Sequence, residues 1–166
     1  MVGCVGSVLL VAFAVLGSLQ ILVLNPLAAV PGRPLPDIYR DAAAANEPFA
    51  VGWVVAFALM GAALSVGGLA FALRGGATWR GTAVFALLAL MLGTPAYFVA
   101  SFSIGMAIAD AFGTSGGDHS SWSSVLFGAS GCALLALAVL AVEAAVRPAV
   151  RGAAARRARV GEPSIR

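Results

Sequence analysis

The sequence predicts an all-α membrane protein, a four-transmembrane-helix bundle with a short extra helix in the first outer loop. Three observations carry that expectation. Only 10% of the 166 residues are charged and 61% are hydrophobic, whereas soluble domains carry about 25% charged residues. So few charges cannot cover a globular surface, and lipid is the expected solvent. Four apolar runs, at about 5–24, 50–73, 82–109 and 124–146, are each long enough to cross a hydrocarbon core of about 30 Å. One polar, proline-rich segment separates the first two runs. Residues 1–146 are expected to form one four-span domain. Residues 147–166 form a basic tail, read as a fraying end of the last helix followed by disorder.

The first run, VGSVLLVAFAVLGSLQILVL, is read as an uncleaved anchor. No Lys or Arg precedes it, and it exceeds a signal's usual apolar core of about 7–15 residues. Gln20 is its one strongly polar member, expected to bond another helix near the outer surface. Asn25-Pro26 is expected to end the helix, because the residue before a proline avoids αR geometry. Pro26, Pro31, Pro34 and Pro36 then predict an extended connection. Pro36 can open a short helix over about 36–46, with Asp37 in its first turn complementing the dipole. Asp37, Arg40 and Asp41 make a solvated mixed-charge face on it.

In the second run, Trp53 suits an interfacial anchor. Gly61 and Ser65, and Leu64, Gly68 and Ala72, recur at four-residue spacing, which lets helix backbones approach closely. Arg74–Gly81 is a tight turn, and Trp79 marks the interface where the third span begins. That span, Thr82–Ala109, is read as the longest apolar run and holds no formal charge; it would be about 42 Å as a helix and is expected to organise the bundle. Pro95 predicts a bend, because it removes the amide that would bond the Met91 carbonyl. Thr94 is expected to bond back to a freed carbonyl. Gly93, Ser101 and Gly105 share a small-residue flank expected to face another helix. In the fourth run, Ser124, Gly128, Cys132 and Ala136 form a similar stripe, after a cap from Asp118 or Ser120 and an interfacial Trp122. Glu143 precedes Arg147 by four residues, the favourable order for a helical ion pair.

Orientation follows from arginine. The 74–80 connection and the tail hold eight Arg, against Arg33 and Arg40 in the other two loops. Both termini are therefore expected in the cytoplasm of a multi-pass cell-membrane protein. Arg147, Arg151, Arg156, Arg157 and Arg159 are expected to meet anionic lipid, each attracted by about 1 kcal/mol. Besides the bilayer, the expected partner is another membrane protein or a second copy of the chain. Nothing resembles a nucleic-acid module. Cys4 falls near the cytoplasmic end of the first span and Cys132 within the fourth, toward the outer side, too far apart for an easy disulfide, and both read as small apolar residues.

Chemistry is mostly absent from the pattern. No CxxC, HExxH, phosphate loop, dinucleotide fingerprint or G-x-S-x-G occurs, and no cofactor or catalytic residue is expected. Asp110, Asp118 and His119 form the one constellation able to meet a divalent metal, though their spacing matches no motif. The expected function is non-enzymatic: an accessory, scaffold or interaction protein. A small oligomeric transporter or channel is the alternative, with Gln20, Thr94, Ser101 and Ser103 as its polar candidates. An outer-face metal-dependent enzyme using Asp118 and His119 is the second alternative.

Overall fold

The computed structural model describes residues 2–74 and 78–160, the stretch 147–160 by its backbone alone. Among the described residues every regular element is helical. Four helices are long and apolar enough to cross a membrane: Val2–Ala29, Val51–Leu73, Trp79–Phe112 and Ser123–Val146. Two of them are interrupted. The first comprises α1 (Val2–Leu19), a π turn (Gln20–Leu24) and α2 (Asn25–Ala29). A ten-residue helix, α3 (Leu35–Ala44), precedes the unbroken α4 (Val51–Leu73). The third span divides into α5 (Trp79–Met91) and α6 (Gly93–Phe112), and α7 runs from Ser123 to Val160. The glycine pair of the connection before α5 lies outside the described residues, as do the side chains of Arg147, Arg151, Arg156, Arg157 and Arg159.

Asn25-Pro26 does not end the first helix. Asn25 keeps αR geometry (φ −69°, ψ −47°), and its amide bonds the Gln20 carbonyl across the π turn. Pro26 then occupies the first turn of α2, where a missing amide costs least. The acceptor that an amide at 26 would have used in an α-helix is the Leu22 carbonyl. The Tyr39 hydroxyl of α3 donates to it at 2.9 Å, so a distant residue removes the penalty behind the sequence expectation. Burial pushes the Tyr39 phenol above its ordinary pKa, keeping it a donor.

The third span breaks at Leu92 (φ −75°, ψ −8°), three residues before Pro95. Thr94 does not bond back to a carbonyl, since its buried Oγ1 has no partner. Ser130 of α7 acts there instead, donating to the Leu90 carbonyl at 2.7 Å in a buried setting. The break also changes neighbours: α5 packs on α1 and α7, whereas α6 packs chiefly on α4.

The third span touches all three others, but the most extensive seam joins the first span to the second. α1 makes its most extensive contact with α4 and its next with α5. Small residues cause this. A Cβ added at Gly3 would stand 2.5 Å from the Ala72 Cβ, one at Gly61 2.5 Å from the Ala14 Cβ, and one at Gly17 2.7 Å from the Phe57 ring. The seam is antiparallel and close enough for two serines to bond across it. Ser7 Oγ donates to the Ser65 carbonyl at 3.0 Å, and Ser65 Oγ to the Ser7 carbonyl at 3.1 Å. In lipid no hydrophobic gain separates helix contact from lipid contact, so close packing and such bonds supply the attraction. Ser7→Ala and Ser65→Ala, read by melting in detergent, should each cost about 0.6–1.7 kcal/mol, because each removes one bond to a backbone carbonyl that stays in place. Unchanged melting in both variants would mean that these bonds add nothing to the seam.

Candidate functional site: the polar cluster beside the π turn

Polar side chains converge where the first span is distorted. A π turn brings its side chains out of α register, and such turns occur often at functional sites. Here it turns Gln20 inward: the residue is fully buried, and its Nε2 donates to the Ser120 carbonyl at 3.4 Å. Its Oε1 is buried without a hydrogen-bond partner. The Gln20 amide also adjoins the Tyr97 phenol of α6. Tyr97 is 1% exposed, and its hydroxyl donates to Asp118 Oδ1 at 2.7 Å. Asn25, buried at the start of α2, accepts the His119 amide at 2.6 Å through its Oδ1.

These bonds strap residues 113–122 to the π turn, α2 and α6. Gly113 makes the turn into the strap, with φ +65°, a left-handed conformation natural to glycine, and its amide caps α6 at the Ala109 carbonyl. A Cβ added at Gly105 would lie 2.6 Å from the Gly116 carbonyl, so backbone meets backbone there. On the other side, α3 packs on α6, and the Arg33 guanidinium lies over the Phe112 ring at 5.9 Å. The charges of α3 and the turn before it pair with one another: Arg33 with Asp41, and Arg40 with Asp37 at 3.0 Å.

The metal candidates separate. Asp118 bonds Tyr97 and does not cap α7; the Trp122 amide bonds Ser120 Oγ instead. The His119 ring meets Ser115 Oγ at 3.3 Å, and Asp110 is exposed on α6. Among the described residues no three His, Cys, Asp or Glu side chains come together.

The expected packing residues divide similarly. Gly61 and Ser65 lie in the α1–α4 seam, and a Cβ at Gly93 would meet the Phe13 ring of α1 at 2.6 Å. Gly105 faces the 113–122 strap and not another helix. Ser101 is half-buried and donates to the Phe98 carbonyl of its own helix. Gly128 is a correction: a Cβ there would meet nothing within 4 Å. Ser124 and Cys132 are exposed as well, because α7 turns Ser123, Leu126, Ser130 and Ala133 inward. Cys4 and Cys132 are both free thiols. Glu143 accepts from Arg80 of α5 at 3.1 Å, a contact between spans that spacing within one helix does not reveal.

Several residues of this framework carried no expectation. Gly3, Ser7, Leu10, Ala14, Gly17 and Ile21 recur at alternating steps of four and three, the spacing of a helix–helix seam. That signal was available. Nothing local to Asn25 or Tyr97 signalled that each would meet residues 118–119.

Comparison of the chain with protein-family models, with curated proteins and with solved structures finds no match.

Proposed function

We propose that the chain is a non-enzymatic scaffold or interaction protein of the cell membrane, its four spans forming one bundle. Both termini are cytoplasmic, and α3 and the 113–122 strap lie on the outer side. Its partners are the bilayer, anionic lipid at Arg147, Arg151, Arg156, Arg157 and Arg159, and another membrane protein or a second copy. One observation supports the reading most: five serines of the spans bond the chain's own backbone, within one helix or between two, while Thr94 Oγ1 and Ser103 Oγ are buried without a partner. Ser7 and Ser65 bond each other's backbones, Ser130 bonds α5, and Ser18 and Ser101 bond their own helices. Two large clefts between the spans are apolar. One of ≈ 510 Å³ lies between α1, α5 and α7, and one of ≈ 520 Å³ lies between α1, α4, α5 and α6. A pore needs polar groups facing a lumen, and a transporter needs them at the midplane.

Reconstituted into sealed vesicles, the chain should pass ions and small polar solutes no faster than empty vesicles. Cross-linking in intact membranes should capture a discrete protein adduct or a dimer. Flux above background would replace the scaffold reading with the transporter one. Topology is checked with Ala43→Cys and Ser115→Cys in a background lacking Cys4 and Cys132. Both should react with an impermeant maleimide in whole cells; labelling only after permeabilisation would reverse the orientation.

A further inference from the structure

The third span changes neighbours at Leu92, and the cleft of ≈ 520 Å³ opens at that step. α5 lies chiefly against α1 and α7, whereas α6 lies chiefly against α4. Leu92 and Gly93 line the cleft, and the buried Leu10, Phe13 and Ala14 of α1 form its floor. Toward Arg74 and Trp79 the Phe85 ring closes it, 2.7 Å from where a Cβ on Gly68 would stand and 6.3 Å from the Phe71 ring between centroids. Toward α3 the buried Phe57 closes it, 2.7 Å from where a Cβ on Gly17 would stand and 6.4 Å from the Phe13 ring. The remaining rim, Met60, Leu88 and Leu92, is exposed. The cleft therefore opens sideways, between α4 and the third span. Ala14, Gly61 and Ala96 all line it, and each lies within two residues of the midpoint of its span. In a hydrocarbon core of about 30 Å, the opening is thus about 15 Å from either headgroup region.

We propose that this cleft holds the methyl end of a lipid acyl chain, which enters sideways at the bilayer midplane. Every side chain lining it is apolar. Buried water needs several polar partners, and these walls offer no polar side chain. An enclosed apolar cavity of about 150 Å³ already takes up benzene while staying dry, and an unfilled cleft forfeits dispersion contacts along its walls. Lipid tails are as apolar as leucine, and they are the material present at that depth. Headgroups are kept out, because aromatic rings close both ends that point toward the membrane faces. A chain lodged there touches α4 and both halves of the third span, so it braces the break at Leu92. The inference deepens the bilayer partnership proposed above; it rests on the four spans crossing a bilayer and not on the scaffold role.

The test uses the full chain in nanodiscs containing phosphatidylcholine with a photoactivatable diazirine at the methyl end of one chain. Adducts formed on illumination are mapped by mass spectrometry. Leu10 and Phe13 are 5% and 8% exposed, so only a chain inside the cleft reaches them. The methyl-end probe should label this floor, and labelling should be lost when the diazirine sits beside the chain's carbonyl. Replacing phosphatidylcholine by phosphatidylglycerol should leave the adducts unchanged. Ala89→Phe fills the cleft and should abolish floor labelling while adducts at Met60 persist. Ala96→Leu fills it from the other end and decides the matter if the first variant fails to fold. Labelling confined to Met60, Leu88 and Leu92 overturns the proposal, because the chain then only passes the rim. Floor labelling that persists in the filled variants also overturns it, since the chain then enters from the cleft between α1, α5 and α7. So does floor labelling that requires one headgroup. Solute flux from sealed vesicles would overturn the scaffold reading and leave this result standing.

Discussion

Gly61→Leu is expected to lower the melting temperature in detergent by about 6–12 °C, or to prevent assembly. Even a Cβ at this position would stand 2.5 Å from the Ala14 Cβ and 3.8 Å from the Ala14 Cα, so backbone and not only a side chain must move. Overpacking a tight interior costs about 1–3 kcal/mol and occasionally more, and each kcal/mol shifts the melting of a chain this size by about 2–4 °C. The upper end applies because Ser7 and Ser65 bond one to two turns away in the same seam. Spreading α1 from α4 would lengthen both bonds. Gly128→Leu supplies the control, since a Cβ there meets nothing within 4 Å, and leucine is a better helix former than glycine. That variant should melt with the wild type or slightly above it. If Gly61→Leu also melted with the wild type, the α1–α4 seam would not hold the protein together.

The contrast between those two glycines shows where sequence reasoning stopped. Composition and run length made the four apolar helices legible, because the bilayer allows few structures and needs long charge-free segments to span it. Which face of each helix turns inward was less legible. Gly and Ala are so abundant here that four-residue stripes occur on lipid-facing surfaces as well as on seams. On α7 the stripe through Gly128 is exposed, while the row through Ser123, Ser130 and Ala133 is buried. Hydropathy cannot choose between the two in lipid.

The prolines show a second limit. A local rule marks Pro26 as a helix end and Pro95 as the site of a bend. The actual outcome depends on residues far along the chain: Tyr39 bonds the Leu22 carbonyl, and Ser130 bonds the Leu90 carbonyl. No spacing pattern announces a donor 17 or 40 residues away. The polar cluster was legible one residue at a time. Gln20 stood out as the sole strongly polar residue of its span, and Asp118 and His119 as a polar loop pair. Their meeting with Tyr97 and Asn25 requires the π turn, which re-aims Gln20 and Asn25 and which local propensity does not encode.

Tyr97 is the residue on which that cluster and the core both rest, and two substitutions separate its roles. Its side chain is 1% exposed, lies 3.6 Å from where a Cβ on Gly17 would stand and meets the Phe127 ring edge-on at 6.0 Å. Tyr97→Ala should therefore cost about 3–5 kcal/mol, the range for emptying a large aromatic site. Tyr97→Phe keeps that volume and loses the bond to Asp118 and the contact with the Gln20 amide. Asp118 is exposed and can turn to water, so the cost should stay near 0.5–1.5 kcal/mol. The phenylalanine variant should still free the strap. Proteolysis within residues 113–122 and amide exchange at His119 should both accelerate, while protection at Ser7 and Ser65 stays unchanged. Denaturation at fixed detergent and protein concentration measures the first pair of costs, and hydrogen exchange reads the second effect. Should Tyr97→Phe prove as damaging as Tyr97→Ala, the hydroxyl and not the ring would be holding α6 to the first span. Should the strap stay fully protected in Tyr97→Phe, the Asn25 and Gln20 bonds alone would suffice to hold it.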